Sequence, residues 1–423
     1  MRKNLIALYG VQAATLILPL LTIPFLARSL GPSSLGQLAA IQSLFATLGF
    51  IIEYGFNFSA VNQVSINRAN TNKLTSIFGN VTGAKILLSV LYLFVSLMIY
   101  LSIPVFREDP LVFWVAFAGG LTQGFTLIWF FQGIEKISII ATIDIIFKFA
   151  YVLLVIVLVK SSNDLLIVVT LQFVTSLASL ITGIFIAKKY INRPTIKLSG
   201  ALSSIKEGGG MFFFRGLTLL RTTASSAILR IFVPSASVAY YANAEKLTNV
   251  SYSAFTPLNQ VFFPRISYLV HHEFESAKVQ FRKYLKIIFL MSVVSSILAY
   301  ILAPVAVEII FGPQYLKTID IFRIILLSIP IVSINTLFGI QWLAITGRQK
   351  YLNISTATSA VLSIALIATI VPIHGMEGMA WIMVASEFIM MLMILFYSLN
   401  HSTNPFRKNS VLIDFHFRNE QVR

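Results

Sequence analysis

LIALYGVQAATLILPLLTIPFL, residues 5–26, carries no charge at all. At about 1.5 Å of rise per residue, a helix of this length crosses the roughly 30 Å hydrocarbon core of a bilayer. Met1-Arg2-Lys3 in front of it imitates the start of a signal peptide. The run is too long for a signal's apolar core, however, and no small-residue cleavage site follows. It reads as a first, uncleaved membrane helix.

Working outward, the same kind of run recurs along the chain. Twelve candidate spans cover 4–27, 36–58, 78–101, 111–133, 138–159, 164–187, 210–232, 238–263, 284–305, 319–346, 350–372 and 376–398. Spans two, seven and eight are the least apolar. The composition agrees: 57% of the 423 residues are hydrophobic and 11% charged, against about 25% charged in a soluble domain. Only a chain whose outside meets lipid can use so much apolar surface. No cysteine is present, which excludes disulfides, thiolate metal sites and cysteine nucleophiles. The net charge of +16 fits basic cytoplasmic loops and anionic lipid heads rather than nucleic acid.

Lysine and arginine placement gives the orientation. With the N-terminus inside, the inside segments hold 20 basic residues and the outside segments 5, namely Arg28, Arg107, Lys160, Arg230 and Lys317. That bias predicts both termini in the cytoplasm and an even number of spans. Residues 191–209, with Arg193-Pro194 and Gly208-Gly209-Gly210, read as a linker in which the glycines supply bend.

Four short matches relate the two sides of that linker. Arg28…Pro32-Ser33 pairs with Arg230…Pro234-Ser235 at offset 202, and Asn62-Gln63-Val64 with Asn259-Gln260-Val261 at 197. Ile103-Pro104-Val105 pairs with Ala303-Pro304-Val305 at 200, and Gly133…Lys136 with Gly347…Lys350 at 214. Their common order predicts a repeat of six spans. An even number keeps both copies in the same orientation, related by an axis near the membrane normal. The expected fold is therefore all-α and membrane-integral, twelve helices in two parallel six-helix lobes around a central cavity. The lobes are 1–190 and 210–398, with a polar cytoplasmic tail at 399–423. Such lobes can rock and open the cavity to each side in turn.

Polar groups inside the bilayer are costly, so each invites a role. Span seven carries Arg215 and Arg221 among several hydroxyls, while its repeat partner, span one, has no charge between Lys3 and Arg28. Guanidinium forks there suit an anionic headgroup; pairing with Glu53 or snorkelling is the plainer use. Glu245-Lys246 lies inside span eight. Neighbours on a helix face different ways, so one is expected toward the cavity and the other toward a neighbouring helix, with Lys246 as a phosphate contact. Lys85 faces the cavity or the inner headgroups. Glu53, Asp144, Glu245 and Glu387 are carboxylates able to bind H⁺ or Na⁺ for coupling; Asp144 and Lys148, four apart, can instead pair locally. No other cofactor is expected. His271-His272 reads as a solvated interior loop rather than a metal site, and no phosphate-loop motif occurs.

The segment Pro24-Phe-Leu-Ala-Arg28-Ser-Leu-Gly31-Pro32-Ser-Ser-Leu-Gly36, followed by Glu53-Tyr54-Gly55, resembles the opening of the polysaccharide-transporter family, the Wzx-type O-antigen flippases of the MATE-like superfamily. Length, twelve spans and the two-copy repeat of six spans extend the likeness over the membrane domain. The resemblance implies a non-enzymatic flippase in the bacterial inner membrane. It would move an undecaprenyl-pyrophosphate-linked oligosaccharide from the inner to the outer face, alongside a polymerase of the same pathway. Arg215, Arg221 and Lys246 would meet the pyrophosphate by span position, and Arg28 would be a structural turn residue. Two relatives share the fold: lipid II flippases, which carry extra C-terminal helices, and cation-coupled drug exporters, whose cavities lean acidic. A polymerase or ligase would need a long outside loop, which is lacking here.

Overall fold

The computed structural model describes residues 2–253, 255–400 and 403–407. For 2–21, and for 210, 211, 213–215, 217, 218, 220, 221, 256, 257 and 260, it describes the backbone and not the side chains. Helix dominates, and no strand occurs among the described residues.

α1 (Arg2–Glu53) is broken once, at Gly31, where φ of 72° and ψ of 172° turn the chain. Glycine takes that conformation without steric cost, and Pro32 then opens the second arm, where a fixed φ and a missing N–H suit a first turn. The arm ends in Glu53-Tyr54-Gly55. Tyr54 and Gly55 are both left-handed, at φ 46° and 82°, before α2 (Phe56–Ile66) resumes. The motif residues of the sequence thus mark two chain breaks. α3 (Thr71–Ser102), α4 (Pro110–Gly124), α5 (Ile128–Gly133), α6 (Ile137–Leu158) and α7 (Leu165–Ala187) complete the first half.

The second half holds α8 (Leu198–Thr222), α9 (Ser225–Phe232), α10 (Ser235–Ser253), α11 (Thr256–His272) and α12 (Phe274–Phe311). α13 (Thr318–Leu326) and α14 (Ser328–Asn335) lead into a π-helical stretch, Thr336–Ala344. α15 (Gln349–Leu399) closes the half and is broken at Gly375, φ 55° and ψ −133°.

Among the described residues, eight helical stretches are long and apolar enough to cross a membrane. Two of them, Thr22–Ile66 and Gln349–Leu399, contain the Gly31 and Gly375 breaks. The polar α8 and α10 are not among the eight.

The linker differs from expectation. Residues 191–197 form no regular element, but α8 starts at Leu198 and runs unbroken through Gly208-Gly209-Gly210. The glycines supply no bend. Gly208 instead lets α8 lie against Tyr54, whose carbonyl stands 3.1 Å from where a Cβ would sit. His271-His272 also differ, forming the last turn of α11 rather than a loop. Past α15, Thr403 accepts from the Trp342 indole at 2.9 Å and the Arg407 carbonyl from Lys278 at 3.2 Å.

Apolar packing gathers into three clusters. One runs through both halves, joining Leu26, Leu30 and Leu38 to Val238, Tyr241 and Phe311. The second holds first-half residues such as Phe56, Trp129 and Phe131 with the start of α8. The third holds second-half residues such as Phe281, Trp342 and Ile394. The halves therefore share a core at the Gly31 end and have separate cores at the linker end. At the Gly31 end the contact is backbone-close, because a Cβ on Gly36 would collide with the Ser235 carbonyl. Two arginines cross between the halves there. Arg28 donates to the Ile309 carbonyl at 2.5 Å, and Arg230 to Glu108 at 2.6 Å. Tyr315 and Gln314 both donate to the Ala27 carbonyl, at 2.9 and 3.1 Å.

Candidate functional site

Two cavities lie back to back on α10. The larger, about 330 Å³, opens among α1, α4, α6 and α7, and α10 contributes Lys246 to its wall. The smaller, about 180 Å³, lies among α10, α14 and α15 and the junction of α8 with α9; it is lined by Glu245 and Glu387 together with Asn249 and Tyr252. About 100° of helix separates adjacent residues, so α10 presents Lys246 to one chamber and Glu245 to the other. The sequence expectation that only one of the pair faces a cavity is corrected: both do, in different cavities.

Asp144 and Lys148, one helical turn apart on α6, line the larger cavity and pair at 2.7 Å. In the smaller cavity the Glu387 carboxylate accepts from the Asn335 amide at 2.9 Å. The Tyr252 and Ser328 hydroxyls lie 2.5 Å apart.

Lys85 belongs to neither chamber. It is 2% exposed, and its ammonium donates to the carbonyls of Gly124 and Thr126 at 2.8 and 3.1 Å. Those carbonyls are freed where α4 ends short of α5, and a cation at a helix C-terminus satisfies them. The expectation that Lys85 faces the cavity or the headgroups is corrected: it is a helix cap. Glu53 lines neither cavity; it accepts from Asn57 one turn along, across the Tyr54-Gly55 break. The side chains of Arg215 and Arg221 lie outside the described residues. Their helix, α8, reaches the smaller cavity at Thr222. Arg28 binds a carbonyl at the turn, as a structural residue would.

Sequence reading for charge passed over the neutral groups of the larger cavity. Gln42 and Gln172 bond to each other at 2.9 Å. Gln123, Thr175, Ser176 and Ser179 add further amide and hydroxyl groups. Their signal was present, since amides inside apolar spans are nearly as unusual as charges.

A model of the family described as "Polysaccharide biosynthesis protein" matches residues 1–270. The chain belongs to this family. It is 26% identical over 95% of its length to an Escherichia coli (strain K12) protein named "Putative O-antigen transporter", covering 97% of that protein. Among solved structures it resembles the lipid II flippase MurJ in an inward closed conformation, with a TM-score of 0.69, 14% identity and coverage of 94% of this chain and 87% of that one. An inward-facing MATE multidrug transporter of the MOP superfamily gives a TM-score of 0.69 at 15% identity, covering 91% and 93%. At these identities the two structures show a shared fold and nothing further. This family member is a multi-pass membrane transporter, and the likeness read from Arg28-to-Gly36 and Glu53-Tyr54-Gly55 holds at the level of the family.

Proposed function

We propose that the protein is a flippase carrying an undecaprenyl-pyrophosphate-linked oligosaccharide from the cytoplasmic to the periplasmic leaflet of the bacterial inner membrane. The supporting observation is the Lys246-bearing cavity at the seam between the two halves, in a chain similar end to end to a protein named for O-antigen transport. The chain crosses the bilayer twelve times. The breaks at Gly31 and Gly375 divide two long stretches into two crossings each, and α8 with α9 and α10 with α11 supply the polar seventh and eighth. Two six-helix lobes, 1–190 and 210–398, result. Both termini are cytoplasmic, so the Gly31 end faces the periplasm and the linker end the cytoplasm.

In this reading the shared core and the two crossing arginines close the periplasmic end, and the lobes diverge toward the cytoplasm, ready to load. Lys246, with Arg215 and Arg221 from α8, holds the pyrophosphate, while the lipid tail stays in the bilayer. A proton or sodium ion couples the cycle at Glu245, which shares its chamber with a second carboxylate, Glu387. Asp144 and Glu53 are engaged by Lys148 and Asn57 and act structurally. The polymerase of the same pathway receives the product.

Complementation of a deletion strain tests this. Lys246→Ala and Arg221→Ala should each abolish surface polysaccharide while leaving the protein in the membrane at parental level. Normal polysaccharide from Lys246→Ala would refute its role as a phosphate contact.

A further inference from the structure

Helix α7 lays a polar stripe along the larger cavity. Thr175, Ser176 and Ser179 lie three, four and seven residues after Gln172, the spacing of a single helical face. Gln42 and Gln123 approach the same space from α1 and α4. The Gln42–Gln172 bond uses one amide end of each side chain, and an amide has further donors and acceptors to offer. Among the described residues, the side chains of Gln123, Ser176 and Ser179 make no hydrogen bond of their own. Across the cavity, Phe147 and Tyr151, one turn apart on α6, present aromatic surface.

Neutral donors and acceptors on α7, and on α6 aromatic rings interleaved with the Asp144–Lys148 pair, match a sugar ring, which is hydroxylated around its edge and apolar on its faces. The Gln123 amide and the Ser176 and Ser179 hydroxyls open onto the cavity, and a polyhydroxylated ligand has the donors and acceptors to bond them. The chamber is within the usual size range of a small-ligand site. The Asp144–Lys148 pair on the same face of α6 is neutral as a pair, so Lys246 is the one uncompensated cation among the residues lining this cavity, and an apolar drug would leave the amides and hydroxyls unused.

We propose that this amide and hydroxyl face is the subsite that reads the oligosaccharide, so that the first lobe recognises sugar while Lys246 and α8 hold phosphate. The assignment rests on the lipid-linked oligosaccharide reading above, and it places sugar specificity in residues of α1, α4 and α7.

Purified protein is titrated with two probes: the lipid-linked saccharide that accumulates in cells deleted for this gene, and undecaprenyl pyrophosphate without sugar. The parent should bind the glycosylated probe more tightly. Gln42→Leu combined with Gln172→Leu should weaken the glycosylated probe about ten-fold, as one or two lost hydrogen bonds predict, and leave the sugar-free probe unchanged. Ser176→Ala combined with Ser179→Ala removes less volume, should act in the same direction, and decides the matter if the leucine pair fails to fold. Equal loss for both probes, or no change for either, overturns the subsite. A parent that binds both probes equally also overturns it, with the flippase reading intact. A parent that binds neither removes the flippase reading itself.

Discussion

Lys85 shows how a buried cation can be purely structural. Its ammonium caps two carbonyls exposed by the gap between α4 and α5, and hydrogen bonds from a charged donor contribute about 1.5–3 kcal/mol. Lys85→Met should therefore lower stability in detergent by about 2 kcal/mol, read from thermal unfolding, while surface polysaccharide persists at reduced growth temperature. Complete loss of export with unchanged stability would return Lys85 to the transport path. Its role was not legible in the sequence, because the partner carbonyls lie 39 and 41 residues away and are free only through a helix break. Asp164 gives the pH counterpart. Its carboxylate accepts the backbone N–H groups of Lys160 and Ser161, both at 2.8 Å, and these bonds lower its pKa from the ordinary 3.8. A depressed carboxyl stabilises the fold above its unfolded pKa and loses that effect as pH falls through the folded value. The difference in thermal midpoint between the parent and Asp164→Ala should stay constant from pH 8 to pH 5 and shrink only below about 3.8. A difference that varied between pH 5 and pH 8 would contradict this account of the loop.

At the scale of elements, the contact between the second arm of α1 and α10 is the sharpest constraint. Gly36→Val cannot be accommodated against the Ser235 backbone and should push the two helices apart at the Gly31 end. The chain has no cysteine, so one cysteine placed at Thr22, on the wall of the larger cavity, reports cleanly. Its labelling by a membrane-impermeant thiol reagent from the periplasm should rise in the Gly36→Val background; unchanged labelling would mean the contact does not close that end. Element identity was mostly legible in sequence. Apolar runs gave the helices, and the gap expected between spans one and two falls at the Gly31 break, whereas the break at Tyr54-Gly55 lies inside the second span expected over 36–58. The Gly208–Gly210 run misled because glycine serves close approach as readily as bending, and only the packing of Tyr54 distinguishes the two. The π-helical stretch Thr336–Ala344 left no composition signal, since it differs from α-helix in hydrogen-bond register alone.

For the molecule as a whole, the two matched arginines tie together the parts of the chain on either side of the linker. Arg28 and Arg230, matched at offset 202, each reach across to the region following the other half's third span, at Ile309 and Glu108. The helix ends before Lys136 and Arg348 close alike: each backbone N–H returns five residues, to Phe131 and Leu343, at 2.8 and 2.7 Å. The left-handed residues are Glu135 and Gly347, so the structural register there is 212 rather than the 214 that the glycines suggested. Partly exposed charge pairs contribute up to about 1 kcal/mol. Glu108→Gln should thus favour periplasmic opening by up to about five-fold in Thr22-cysteine labelling rate, and adding Arg28→Gln should increase it further. No increase in either variant would exclude these arginines from holding the end shut. The cavities were the least legible feature, because neutral amides scattered over spans two, four and six become a site only once three helices converge.

The position of α10 between two chambers also constrains how such a protein can diverge. Lys246 and Glu245 are adjacent in sequence yet front separate spaces, so a lineage acquiring a new cargo can alter one without disturbing the other. Insertion or deletion of one residue ahead of them would rotate both by about 100° and scramble the two chambers together. Substitutions should therefore accumulate independently at these two positions between related transporters, while the length of the helix stays fixed.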